Sequence, residues 1–143
     1  MSHNHVSNRL HCIFSTKQRA RSIGKGLQPR LWSYLEGIAV RLRVKPFATG
    51  GIDDHVHLLI ALPPALSLSI AMQKIKANSS RWMKEQGAKG FEWQEGFSAF
   101  SVSISHMEAT VAYIRDQQKH HRRRTFEEEL AQILKRHGMN ELE

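Results

Sequence analysis

Residues 44–62 read VKPFATGGIDDHVHLLIAL, an apolar and β-branched run interrupted once by glycines and aspartates. Those residues supply the backbone freedom and local hydrogen bonds of a turn, so the stretch predicts two strands around a turn near Gly50 and Gly51. Asp53 and Asp54 leave the position of its tip open. Side chains alternate along a strand, which puts His55 and His57 on one face with Cα atoms about 7 Å apart. Val56, Leu58 and Ile60 point the other way and suit a face packed on helices. Both imidazoles are then expected on the helix-free face of a sheet.

Working outward, LHCIFST (10–16) reads as a first strand, and LQPRLWSYLEGIAVRLR (27–43) places Leu27, Leu31, Leu35, Ile38 and Leu42 at helical spacing. Pro29 is tolerated in the first turn of that helix. Pro63 and Pro64 end the strand that carries the histidines. A helix across 67–86 follows, with Leu68, Ala71, Met72, Ile75, Ser79, Trp82 and Met83 on one stripe. FEWQEGFSAFSVS (91–103) is aromatic and alternating and predicts the fourth strand. Ser105 and Glu108 have capping-box spacing and open a helix through His121; Thr125 and Glu128 repeat it for a last helix that Gly138 can close. The expected fold is therefore α+β, a ferredoxin-like β-α-β-β-α-β antiparallel sheet with two additional C-terminal helices. No repeat or linker divides the chain, so residues 1–143 are read as a single domain.

Composition narrows the class. The chain has 41% hydrophobic and 24% charged residues, one cysteine and a formal net charge of +8. A lone Cys12 excludes an internal disulfide and a cysteine-based zinc site. No run is long and apolar enough for a membrane span, and the start MSHNHVSNRL lacks a signal-peptide core, so a cytoplasmic protein with no membrane partner is expected. The positive charge gathers in residues 15–26, 74–84 and 115–124, which points to a polyanion such as nucleic acid. Lys17, Arg19, Lys74, Lys76, Arg81, His121 and Arg124 are the candidate DNA contacts. Each run taken singly is more often a solvated face than a binding site.

His55-Val56-His57 can act as a two-nitrogen pincer for a divalent metal, although a pair of solvent-facing histidines has the same pattern. A third ligand is needed. On the helix from Ser105, Met107, Val111, Ile114 and Gln118 form the stripe expected to pack on the body of the protein. Tyr113 and Gln117 lie off that stripe, four residues apart and so on a common face, with His121 and Arg124 continuing the line. Asp53 and Asp54 either orient the histidines or simply make the turn.

DDHVHLL (53–59) followed by YIRDQ (113–117) resembles the single-tyrosine HUH transposases of small insertion sequences and their domesticated relatives at repetitive extragenic palindromes. The likeness extends to FSTKQR (14–19), WQEGFSAFSVS (93–103) and HHRRRTFEEE (120–129). One departure is Phe97-Ser98, where relatives often carry Tyr-Gly. The resemblance implies that Tyr113 is the nucleophile and that His55, His57 and Gln117 bind the metal, Mg²⁺ or Mn²⁺. It implies cleavage and rejoining of single-stranded or hairpin DNA through a 5′-phosphotyrosine. It also implies a homodimer in which the tyrosine helix can complete the neighbouring site. Two other readings compete: a non-catalytic nucleic-acid-binding module, which the complete set of four residues argues against, and a metal-dependent hydrolase, for which no acidic ligand is evident in the sequence.

Overall fold

A computed structural model describes residues 3–139 of the chain; residues 1–2 and 140–143 of the expected domain lie outside the described residues. Four strands, β1 (Arg9–Ser15), β2 (Lys45–Gly51), β3 (His55–Ala61) and β4 (Ser98–Ser101), form one antiparallel sheet in the order β2-β3-β1-β4. Two helices, α1 (Gln28–Arg41) and α2 (Leu68–Glu85), connect them in the expected ferredoxin-like order. Cys12 and Phe14 of β1 and Val56, Leu58 and Ile60 of β3 face Leu31, Leu35, Ile38, Met72 and Ile75 in one apolar layer. Period-2 strands thus meet period-3.6 helices as their patterns require.

The opposite face of the sheet is covered, contrary to the expectation that it stays helix-free. Three helices lie on it: α3 (Met107–Arg115), the short α4 (Gln117–His120) and α5 (Phe126–Arg136). Ile114 packs with Ala48 and Leu59, while Phe126, Ile133 and Leu134 pack with Ile13 and Phe100. Their apolar residues need a partner, and this face supplies it.

The two glycines do not make the turn. Gly50 and Gly51 belong to β2, and the chain reverses at residues 52–54. A Cβ on Gly50 would lie 2.1 Å from the backbone oxygen of Ile114, so glycine here permits the close approach of α3 to the sheet. The fourth strand is shorter than the alternation suggested. Phe91 and Trp93 turn inward instead, with Phe14–Trp93 rings 4.7 Å apart and the Trp93 indole donating to Ser79 Oγ. Gly96, at φ 84°, then breaks the extended run before β4.

The predicted helix 105–121 is also interrupted. Ser105 bonds to Ser103 and His106 side chains and caps nothing; a 3-10 turn (Ile104–His106) precedes α3. At Asp116 the backbone leaves helical values (φ −105°, ψ 25°). The break rotates the following turn, so Gln117 is buried and Gln118, expected on the packed stripe, is exposed. At α5 the capping box of Thr125 and Glu128 forms in both directions, and Gly138 follows the helix at φ 70°. No helix among the described residues is long and apolar enough to cross a membrane.

Candidate active site

The register of the sheet brings three histidines to its polar face. His57 of β3 lies opposite Ile13 of β1, and His11, two residues earlier on β1, shares that face. His57 Nδ1 and His11 Nε2 are 2.7 Å apart and share one hydrogen. His55 Nδ1–H donates to Asp54 Oδ1 at 2.7 Å. Asp54 is itself held by the turn, because its carbonyl accepts from the Thr16 amide at 2.9 Å and from Thr16 Oγ1 at 3.2 Å. Asp54 therefore orients a histidine and makes the turn at once.

The covering helices bring oxygen atoms and a further imidazole. Gln117 Oε1 lies 3.1 Å from His55 Nε2 and 3.0 Å from His121 Nε2. Glu129 Oε1, from α5, lies 3.3 Å from His55 Nε2 and 3.1 Å from each of His57 Nε2 and His121 Nε2. His55, His57, Gln117 and Glu129 are at most 1% exposed, so this is a dry cluster in which every polar atom must be matched.

Proton counting shows what would match it. The Nδ1 atoms of His55 and His121 are both engaged, with Asp54 and with the Arg124 carbonyl (3.0 Å) respectively. In neutral imidazole the Nε2 atoms then carry lone pairs, and both face acceptor oxygens. Either extra protons or a cation must sit between them. Octahedral coordination at about 2.1 Å places neighbouring ligand atoms about 3 Å apart, which is the spacing found here. His55, His121 and Glu129 each offer a ligand atom within 4.8 Å of the others. The donor set thus fits a divalent cation, with Asp54 as an outer partner of the kind that fixes a ligating histidine. Without a cation, protons take that place. Burial opposes charge on His55, but Asp54 and Glu129 outweigh it and raise its pKa to about 9. Burial drives the His57 pKa down. For Glu129 burial is overcome by the three imidazoles, which hold its carboxyl far below the usual range.

Tyr113 sits beside the cluster. Its hydroxyl donates to Glu129 Oε2 and accepts from Arg124 Nη2 at 3.0 Å. Its ring stacks on His120 at 4.6 Å and meets His57 edge-on at 5.9 Å. Burial, then Glu129, push its pKa above the ordinary tyrosine value, while Arg124 pulls it back. The other tyrosine, Tyr34, stacks on Trp82 away from this cluster.

His55, His57, Tyr113 and Gln117 are therefore brought together. His121 and Arg124, expected on DNA, lie in this cluster. Sequence reasoning missed His11 and Glu129. Glu129 had a signal: it shares the stripe Phe126-Glu129-Ile133, where a carboxylate is out of place unless paired. His11 interrupts an apolar strand in the same way as His55, a weaker sign.

The other basic candidates lie elsewhere. Lys17 pairs with Glu92 at 3.0 Å, Arg19 pairs with Glu127, and Arg81 donates to Asn78. The Lys76 ammonium donates to the carbonyls of Gln94 (2.6 Å) and Gly96 (2.7 Å), anchoring the segment before β4. Lys74 stands exposed on α2.

The chain is similar to known proteins in sequence and in fold. Over 86 residues the chain is 26% identical to the transposases for insertion sequence element IS200 of Salmonella typhimurium and Salmonella typhi, covering 60% of this chain. It spans 57% of the length of those relatives. Its fold is similar to that of a Deinococcus radiodurans protein provisionally identified as a transposase, with a TM-score of 0.63 and 23% identity over 79% of this chain and 92% of that one. It is also similar to a REP-associated tyrosine transposase solved with a REP hairpin, with a TM-score of 0.57 and 17% identity over 80% of this chain and 70% of that one. The family model for IS200-like transposases matches residues 4–117, from before β1 to the buried glutamine, and the chain belongs to that family.

Proposed function

We propose that this protein cuts and rejoins single-stranded or hairpin DNA, with Tyr113 as nucleophile and His55, His57 and Gln117 among the ligands of Mg²⁺ or Mn²⁺. The observation that carries the reading is the double use of Glu129: one oxygen touches the imidazoles while the other holds the phenol. Nucleophile and metal ligands are thereby within one carboxylate of each other. His121 and Glu129 complete the donor set.

In the forward step the Tyr113 oxygen bonds to phosphorus and the bond from phosphorus to the 3′-oxygen breaks. The phenol proton leaves through Glu129 Oε2, which accepts its hydrogen bond, to solvent, and the 3′-oxygen takes one from solvent. The product is a 5′-phosphotyrosine and a free 3′-hydroxyl, and attack by another 3′-hydroxyl reverses the step without an external energy source. A divalent cation bound to the cluster would draw charge from a non-bridging phosphate oxygen. The protein's own part is positional. Asp54 fixes the His55 ring, and the Arg124 guanidinium, on the phenol oxygen, favours its ionised form. Family membership and the hairpin bound by the REP-associated neighbour support DNA as the substrate. Action on DNA would place the protein in the cytoplasm, at the nucleoid, as a single catalytic domain.

The reading includes a homodimer. Tyr113 lies against the histidines of its own chain, so a dimer would not be required to complete the site. Mixing a His55→Ala/His57→Ala subunit with a Tyr113→Phe subunit tests this: verified mixed dimers stay inactive if each chain uses its own tyrosine.

Glu129 also favours a second reading. It is the acidic ligand that the sequence seemed to lack for a metal-dependent hydrolase acting through water. End-labelled hairpin DNA incubated with Mn²⁺ and run on a denaturing gel separates the two. A protein–DNA band that disappears in Tyr113→Phe supports strand transfer; nicking that persists in Tyr113→Phe supports hydrolysis.

A further inference from the structure

A cavity of about 580 Å³ opens beside Tyr113, between the end of β4, α3 and α5. Its inner end reaches His11 and Tyr113, Phe100 and Ile133 give it an apolar wall, and Arg136 and His137 line it as well. None of its lining residues is acidic. Phe100 and His137 are stacked with ring centroids 4.6 Å apart. The other sides of the tyrosine are taken: His120 covers one ring face, and Glu129 and Arg124 hold the hydroxyl.

We infer that this cavity seats the nucleotide flanking the scissile phosphate, unpaired, with its base against the exposed His137 ring that stacks on Phe100 and its phosphate toward Arg136. The inference rests on Tyr113 being the nucleophile, because a phosphate brought to that oxygen must leave an adjoining nucleotide close by. A pocket of this size holds a nucleotide. Aromatic stacking with a cationic border is the chemistry by which unpaired bases are held without sequence readout. A cavity of about 550 Å³ between Lys17, Lys76 and Lys84 also has cations and an aromatic ring, Trp93, but Glu92 and Glu95 stand in its wall and it lies on the α2 side, away from Tyr113.

The test uses the full chain without metal and a 5′-phosphorylated dinucleotide containing 2-aminopurine, whose fluorescence falls on stacking. Wild type and Tyr113→Phe should both give saturable quenching that weakens with salt. Arg136→Glu should weaken binding by about tenfold or more, as loss of a phosphate contact does. Ala109→Leu, which fills the cavity from an exposed helical position, should do the same with its thermal unfolding unchanged. Arg41→Glu, exposed at the end of α1, should leave binding as it was. No saturable quenching, or equal loss in all three variants, or none in Arg136→Glu and Ala109→Leu, overturns the inference. Since no cleavage is measured, such a result is separate from failure of Tyr113 to form an adduct on hairpin DNA.

Discussion

The two faces of the sheet are built on different principles. Toward α1 and α2, Val56, Leu58 and Ile60 are held by apolar contact, which depends on area and shape. Toward α3, α4 and α5, His11, His55 and His57 are held by a few polar atoms in hydrogen-bond contact. One strand, β3, serves both by alternation. The first face is apolar throughout; the second adds a polar cluster to its own apolar contacts, and damage to each should register in a different measurement.

The largest effect is expected on the polar face. His55→Ala/His57→Ala removes two imidazoles and should lower DNA cleavage by at least about 10²–10³-fold, the loss of several kcal/mol of transition-state stabilisation. Calorimetry should show Mn²⁺ binding lost with it, and unchanged Mn²⁺ affinity would exclude the cluster as the metal site. Leu58→Ala, one residue away on the apolar face, should cost about 2–5 kcal/mol in denaturant unfolding. Its cleavage rate per folded molecule should stay near wild type. If Leu58→Ala instead abolished cleavage in folded protein, the separation of the two faces would fail.

Asp54→Asn sharpens the contrast within the polar face. It keeps the shape of the turn but weakens the hold on His55 Nδ1, and about a 10–100-fold loss in metal affinity is expected. The smallest effect concerns Cys12, buried on the apolar face with its pKa pushed up to about 12 by burial. At pH 8 it should carry about a thousandfold less thiolate than an exposed cysteine and resist iodoacetamide in the folded state. The sign for stability follows. Between pH 9 and 12 the folded chain keeps a proton that the unfolded chain loses, so this group makes stability fall as pH rises above 9. Alkylation at pH 8 as fast as in denaturant would contradict the burial.

Much of this was legible in the sequence, for physical reasons that differ by region. Alternation in β3 and the stripes of α1 and α2 express burial directly, so element order and the division of the faces could be read. The pair of histidines, the tyrosine and the glutamine were legible through motif and helical spacing. The cover over the polar face was not, because a stripe such as Met107-Val111-Ile114 shows that a side is buried without showing against what. The break at Asp116 was equally silent: no glycine or proline marks it, yet it decides that Gln117 rather than Gln118 turns inward. Glu129 was concealed among three consecutive glutamates, two of them exposed. Gly50 and Gly51 misled in the other direction, since glycine suits a turn and a close backbone approach alike.

If the Tyr113 oxygen becomes bonded to DNA, mass spectrometry of the linked peptide will locate the bond. After incubation with hairpin-bearing single-stranded DNA and Mn²⁺, the protein is digested with protease and nuclease and its peptides are sequenced. The expected product is a peptide containing Tyr113 that carries a 5′-linked nucleotide on its phenol oxygen, with no such adduct in Tyr113→Phe. Nucleotide attached to another residue, or efficient cleavage with no attached nucleotide, would contradict Tyr113 as the nucleophile.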